Sequence, residues 1–486
     1  LSRKFAPGAW LGNRLWQLLS WRESWHFHSG LNHLRQTQLN ILRTLMARQS
    51  GTSFGKRHSL ATVLGSYERF RDQVPLSTYE DLLPFLRQSG GLSLDKIRVW
   101  EPTGGSSGGS KWIPWTSGLQ AEFQRAVAVW ICDLFRQSPA LRNGRAYWQL
   151  TPKTQSQAPP WLADHRVGFE SDGEYLGLLG RCLEPWVLVK PAPAGDFWKG
   201  TVTRLRAASD LRWISCWSPS FLLLLHRWFE ENLGDWRPEQ WWPELRLISC
   251  WTQAASASFV NRVKQLFPGV RIQPKGLLST EAVVTIPLAG RHPLAYRSHF
   301  FEFLSGDRAL PSWELETGLH ADVVVTTGGG LTRYRTGDRI RVTGFLGQVP
   351  CLEFLGRTGV ADQRGEKLAI AFLESLLAEL SGFAMLAFEG DSYVLFFDSS
   401  RTPTQAAEQV AWLENRLLES YTYLDCRQLG QIGSLRGFLV DGDALSQYID
   451  ICRYRLGQGL SVLKPMAFHS YQGWSEEFRG EFLCNG

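Results

Sequence analysis

The sequence predicts an α/β protein, with a large multi-layer N-terminal domain over residues 1–355 and a small α+β C-terminal domain over 356–486. Three observations predict it. Segments with apolar side chains at helical spacing alternate with short β-branched runs through the first part of the chain, the pattern of helices layered on sheets. A shorter alternation restarts after about residue 356. A chain of 486 residues is also longer than one hydrophobic core usually holds.

The elements follow in order. Residues 31–48 and 121–137 carry apolar side chains on one helical face, and IRVW at 97–100 reads as a strand. A further helix is expected from Ser218, whose hydroxyl suits an orphan backbone N–H, with Pro219 at the first helical position; it carries FLLLL inward. ADVVVTT at 321–327, RIRVTGF at 339–345 and LEFL at 352–355 are β-rich. LGRTGVADQRGEK at 355–367 has the glycines and charges of a linker. Beyond it come a helix near 368–380, paired strands at 384–390 and 392–398, a helix at 404–420, a strand at 435–440 and a helix at 443–456.

Composition narrows the function. Hydrophobic residues at 44% and charged residues at 20% exclude a disordered or fibrous chain. A net charge of +6 favours small anionic ligands such as nucleotides, but is too weak over this length to argue for nucleic acid. The 22 tryptophans are strewn through the chain without interleaved basic residues, which fits core and pocket packing rather than base stacking. Trp148, Trp217 and Trp251 are candidates for an aromatic or fatty pocket, although packing is the simpler role for any one of them. Eight scattered cysteines without CxxC pairs read as reduced thiols, and the apolar run at 221–225 ends at once in His226 and Arg227. A cytoplasmic protein with small-molecule partners, and neither membrane nor nucleic acid, is therefore expected.

Three constellations carry chemistry. TGGSSGGSK at 103–111 lies between the strand at 97–100 and the helix that begins near 117; glycines allow close backbone approach, the hydroxyls of Ser106 and Ser107 suit phosphate oxygens, and Lys111 adds a point charge. A flexible Gly/Ser linker is the plain alternative, and the spacing is not the Walker arrangement. In LLSTEAVVTIP at 277–287, polar Ser279, Thr280 and Glu281 interrupt apolar sequence; Glu281 is a candidate magnesium ligand, although a glutamate after a strand is usually only solvated. GGGLTRYRTGDRIRV at 328–342 places Tyr334 to Asp338 in a turn before a strand, where Asp338 can accept two hydrogen bonds from ribose hydroxyls or simply close a Gly-Asp turn. Arg333, Arg335, Arg339 and Arg341 are expected to alternate on one face of that strand, or simply to form a solvated edge.

The order of these motifs, followed by a Gly-Arg linker and a small lysine-bearing domain, resembles the adenylate-forming superfamily of acyl-CoA synthetases, luciferases and nonribosomal adenylation domains. YRSHFFEFL at 296–304, VVVTTGGGLTRYRTGDRIRVTGF at 323–345 and GQGLSVLKPMAF at 457–468 are more specifically similar to the acyl acid amido synthetases of the auxin-responsive Gretchen Hagen family. The resemblance, running from about residue 50 to 470, implies a fold of adenylate-forming type with ATP and Mg2+ as cofactors. It also implies activation of a carboxylic acid as acyl-AMP and transfer to an amine or amino acid. An acyl-CoA or carrier-protein ligase shares the first step, and a degenerate nucleotide-binding protein would share the fold alone.

Carried over residue by residue, the resemblance implies that Ser106, Ser107 and Gly108 hold phosphates and Glu281 holds magnesium. It implies that Asp338 binds ribose, that Lys111, Thr280, Tyr334 and Arg357 belong to the nucleotide site, and that Lys367 and Lys464 contact nucleotide or reacting groups. Two departures stand out. Leu277 replaces the aromatic residue the family often has two positions before the serine of Ser-Thr-Glu. The family's Tyr-Lys-x-Pro-Arg reads Leu463, Lys464, Pro465, Met466, which keeps the lysine and a shifted proline.

Overall fold

Residues 145–274 alternate buried apolar strands with helices, and in the computed structural model they form a four-stranded parallel sheet: β3 (Arg145–Trp148), β4 (Leu211–Ser215), β5 (Leu247–Cys250) and β6 (Arg271–Pro274), in that spatial order. It is preceded by the antiparallel pair β1 (Ile97–Thr103) and β2 (Lys111–Thr116). The structure describes residues 6–103, 111–148, 159–169, 177–189, 197–234, 236–253, 257–361, 363, 366, 368–398, 401–428, 430–456 and 466–483. Helices Phe197–Ala207, Ser220–Leu233 and Ala257–Leu266 lie in the crossovers, as parallel pairing requires. With both faces covered, β4 and β5 are buried at every position.

A second, antiparallel sheet follows, made of β7 (Phe300–Ser305), β8 (Arg308–Pro311), β9 (His320–Thr326), β10 (Tyr334–Leu346) and β11 (Val349–Arg357), in the order β11-β10-β9-β7-β8. Its inward residues, including Phe301, Phe303, Val323, Val325 and Ile340, share the largest core with helix Leu34–Gln49. Leu277 is part of that core. Helix Ser117–Gln137 is capped by Thr116, whose hydroxyl accepts from Leu119 N–H at 3.2 Å, and it packs against a long first helix, Pro7–Ser29.

The residues expected to form a linker are partly structured: 355–357 belong to β11, and β12 (Val360–Ala361) pairs with β13 (Leu368–Ala369). Beyond lie β14 (Ala384–Glu389), β15 (Ser392–Asp398), β16 (Arg436–Val440), β17 (Phe468–His469) and β18 (Gly480–Phe482), in the order β17-β14-β15-β16-β18. Alternation divides this sheet's faces. Leu386, Leu395, Phe397 and Leu439 pack with the helices Ile370–Ala378 and Pro403–Leu417. Met385, Val394, Phe396 and Phe438 belong to one cluster with Phe221, Leu225 and Phe259, so the C-terminal unit and the parallel sheet's helices share a hydrophobic core.

The expected helices and strands differ from the observed ones mainly at their ends, where first and last turns fray. The helix expected from Ser218 begins at Ser220, with Pro219 just ahead of it. The helix expected at 443–456 divides into Ala444–Asp450, capped by Asp443, and a π-helical turn Ile451–Arg455.

Candidate active site

The Tyr-Arg-Thr-Gly-Asp motif lies at the start of β10, where the pairing with β9 shifts register between Arg335 and Arg339. Gly337 sits at φ 80°, a left-handed conformation that favours glycine, and Asp338 falls on the buried face in alternation with Tyr334, Thr336 and Ile340. Asp338 is 2% exposed and stands opposite Arg357 in the β10–β11 ladder. Their side chains meet at 3.4 Å between Arg357 Nε and an Asp338 carboxylate oxygen.

The Ser-Thr-Glu motif closes a tight turn after β6, Ser279 N–H donating to the Ala282 carbonyl at 3.0 Å. Glu281 is 4% exposed and accepts no hydrogen bond among the described residues. Thr280 is half-buried beside it, and Ser279 Oγ is buried with no hydrogen-bond partner among the described residues. Burial opposes the charge of Arg357, but Asp338, Glu281, Tyr334 and Glu374 together hold its pKa above the ordinary value. Tyr334 is fully buried, and burial, then the charge of Glu281, pushes its phenol far above the ordinary range, so it keeps its proton. Lys111 Nζ reaches to 3.4 Å from the Tyr334 hydroxyl and lies over its ring. The structure thus brings Lys111, Glu281, Tyr334, Asp338 and Arg357 into one cluster.

β1 and β2 flank the Gly/Ser segment and pair with Thr103 opposite Lys111. Ser106, Ser107 and Gly108 themselves lie outside the described residues, as do Lys367 and Lys464. Glu366, next to Lys367, is buried in the C-terminal unit and accepts from the Tyr393 hydroxyl and from Gln363 N–H. Arg333 departs from the expected alternation. It takes φ 45° ahead of the strand and turns into the core, where Nε and one terminal nitrogen each donate to Glu302 at 2.9 Å, while Arg335, Arg339 and Arg341 are exposed.

Two features carry no motif. The first is a buried polar network behind Glu281. His299 Nε2 accepts from Val283 N–H at 3.1 Å, which puts the ring proton on Nδ1, 2.8 Å from Glu122. Glu122 also accepts from Gly328 N–H at 2.9 Å, so one carboxylate ties the helix Ser117–Gln137 to the turns bearing Glu281 and Tyr334. The second is a cavity at the carboxyl ends of the parallel strands, where open α/β sheets bind their ligands. Phe123, Trp130, Trp148 and Trp217 wall it together with Leu278 and Val283 from the Ser-Thr-Glu segment, and Ser215 and Lys275 supply polar groups. Trp148 and Trp217 therefore line a pocket, and Trp251 packs against Trp217 with ring centroids 5.5 Å apart. Helix periodicity marked the face bearing Glu122, but no local pattern marks Lys275.

The donor set admits magnesium. Among the described residues no group of three or more His, Cys, Asp or Glu could hold a metal, so Glu281 would act with few or no other protein carboxylates, beside the positively charged Arg357. Mg2+ needs no more, since it keeps several waters and binds through one or two carboxylates and phosphate oxygens. No helix among the described residues is long and apolar enough to cross a membrane.

Comparison with known proteins shows the family and the fold. The model of the GH3 family N-terminal domain matches residues 26–236, and that of the GH3 family central domain matches 292–357. A probable indole-3-acetic acid-amido synthetase, GH3.6 of Oryza sativa subsp. japonica, is 28% identical over 184 residues, 33% of this chain and 37% of the relative. In that match the chain spans only about a third of the relative's length. A second rice relative, the probable indole-3-acetic acid-amido synthetase GH3.4, is 23% identical over 90% of this chain and 86% of its own length. The solved structure of the GH3.15 acyl acid amido synthetase superposes with a TM-score of 0.77 at 17% identity, covering 94% of this chain and 96% of that one, a likeness of fold. With both domain models matched over more than half of the sequence and the same fold throughout, the chain belongs to the GH3 family.

Proposed function

We propose that this chain activates a carboxylic acid with ATP as an acyl-adenylate and passes the acyl group to an amine or amino acid. The observation that carries the reading is the cluster of Lys111, Glu281, Tyr334, Asp338 and Arg357 beside an aromatic cavity, with the segment 277–287 contributing to both. The GH3 relatives are named as probable indole-3-acetic acid-amido synthetases. Residues 1–355 form the catalytic body in this reading, and 356–486 the small unit that brings lysines to it. The described cysteines, buried except for Cys182 and without a disulfide among them, suit a reducing, cytoplasmic setting.

In the first half-reaction a carboxylate oxygen attacks the α-phosphorus of ATP and the bond to pyrophosphate breaks. Two anions must meet, so the residues have to neutralise charge and align the reactants. Asp338 accepts from the ribose hydroxyls, a task for an acceptor-only carboxylate that is not saturated by protein donors. Arg357, oriented by Asp338, faces the phosphates, and Tyr334 keeps its proton and donates. Ser106, Ser107, Gly108, Lys111 and Thr280 complete the phosphate cradle. Magnesium on Glu281 supplies neutralisation of the phosphate charge. Lys367 and Lys464 stabilise charge that develops in the transition state. In the second half-reaction the amine nitrogen attacks the acyl carbon, AMP leaves, and the amine's proton is released.

Acid-dependent ATP–pyrophosphate exchange across a panel of carboxylic acids, followed by amine and thiol acceptors, tests the reading. Exchange with at least one acid and an amide product are expected. Exchange by no acid overturns activation, and a thioester in place of an amide overturns the acceptor.

A further inference from the structure

Lys275 is a charged side chain where an apolar pocket would be expected. It is 7% exposed, follows directly on β6, and projects into the cavity among indole rings, with Nζ 5.1 Å from the Trp130 ring centroid and 5.2 Å from that of Trp217. Nζ donates to Ser215 Oγ at 2.5 Å, and Ser215 is the last residue of β4. Because that oxygen accepts from the ammonium, the Ser215 hydroxyl keeps its own hydrogen to donate, so two donors, from the ends of β4 and β6 on either side of β5, converge on the cavity. The indole faces favour a cation there, and low surrounding polarity strengthens any pairing it makes with an anion.

The position of this ammonium separates it from the nucleotide. Its charge acts on the thiols of Cys216 and Cys250, at the ends of β4 and β5. The nucleotide cluster lies across the segment 277–287, around Arg357 and Tyr334. An acid lying in the cavity with its reacting carboxylate toward that cluster has its far end beside Lys275 and Ser215.

Resting on the acyl-activation reading, we propose that Lys275 and Ser215 form an anion-anchoring subsite at the distal end of the acyl pocket. The preferred acids then carry a flat apolar middle and a second oxyanion, a carboxylate above all, opposite the reacting carboxyl. The tryptophan walls take the hydrocarbon, and a charge-assisted hydrogen bond from Nζ takes the distal group. An acid with an apolar end forgoes that bond, and is disfavoured as specific sites disfavour analogues lacking a bonded group.

The test pairs benzene-1,4-dicarboxylate with 4-methylbenzoate, and 4-carboxycinnamate with 4-methylcinnamate, on the full chain and on Lys275→Met and Ser215→Ala. Binding is read by quenching of tryptophan fluorescence and activation by ATP–pyrophosphate exchange, with thermal melts to establish folding. The dicarboxylate of at least one pair should bind about tenfold or more tightly than its methyl partner. Lys275→Met should erase or invert that preference, and Ser215→Ala should weaken it. Equal affinities in the native chain, no binding by either dicarboxylate, or a preference that survives in a folded Lys275→Met protein overturns the subsite. Should Lys275→Met fail to fold, Ser215→Ala decides by the same criterion. Exchange with the methyl acids but no preference would sink the subsite and leave activation standing; tight, Lys275-dependent dicarboxylate binding without exchange by any acid would do the reverse.

Discussion

Two arginine–carboxylate pairs lie on the same sheet and behave in opposite ways. Arg333 and Glu302 are 4% and 1% exposed at their side chains and meet bidentately, and the remaining terminal nitrogen donates to the Arg71 and Val74 carbonyls at 2.7 and 2.6 Å. Glu302 also accepts from the Tyr67 hydroxyl at 3.2 Å. Arg357 and Asp338 share one 3.4 Å contact, and the arginine is 33% exposed. The first pair is saturated by protein and holds the chain where the turn enters β10. The second, with Glu281 beside it, leaves acceptor and donor capacity that a nucleotide can use. Hydrogen-bond saturation, together with the exposure of the arginine, separates scaffold from site here.

Removing one partner of each pair sharpens the contrast. Glu302→Ala strands the Arg333 charge in the core and should cost about 3–5 kcal/mol, the scale for breaking a buried pair. Urea unfolding checks it, and a loss no larger than that of a surface substitution would break the comparison. Glu281→Ala should leave the unfolding midpoint almost unmoved, since the carboxylate accepts no hydrogen bond among the described residues. Exchange activity should nevertheless fall by about a thousandfold, the upper scale for losing one electrostatic group in a site. Near-native exchange would remove Glu281 from the machinery. Asp338→Ala should weaken ATP about ten- to a hundredfold, the worth of charge-assisted bonds to the ribose, with the KM for acid unchanged. Steady-state kinetics in both substrates decides, and equal weakening of both would place Asp338 elsewhere.

Stability should also fall as pH drops below about 6.5, the ordinary value for histidine, because burial lowers the pKa of His469 to about 4. Between those values the unfolded chain binds the proton and the folded chain does not, so folding loses free energy toward pH 4. Urea titrations at pH 7 and pH 5 measure it; His469→Phe should show a smaller difference between the two, and an unchanged difference would assign the pH dependence to other groups.

Legibility in the sequence followed range. Tyr334 to Asp338 were expected as a turn before a strand but form the start of β10 itself; the motif stood out because its glycine and the register shift lie within neighbouring residues. Glu281 was readable only through the order of the motifs, since a lone glutamate after a strand says little. Arg333 was misassigned because period-two alternation assumes extended backbone, and its left-handed conformation removes it from the strand. The cavity was largely illegible: Trp130, Trp148, Ser215, Trp217 and Lys275 come together only where a helix meets the ends of three parallel strands. The first helix, Pro7–Ser29, gave no clear apolar face because Leu11, Leu18, Trp21 and Trp25 are exposed while Trp16 and Phe27 are buried.

The central claim is that a carboxylate attacks the α-phosphorus. An acid that supports exchange, labelled with 18O in its carboxylate and turned over with ATP and an amine, tests it directly. The account predicts one 18O atom in each AMP released and none in pyrophosphate, because the attacking oxygen leaves with the adenylate phosphate. Label in inorganic phosphate with ADP as the nucleotide product, or unlabelled AMP, would contradict it.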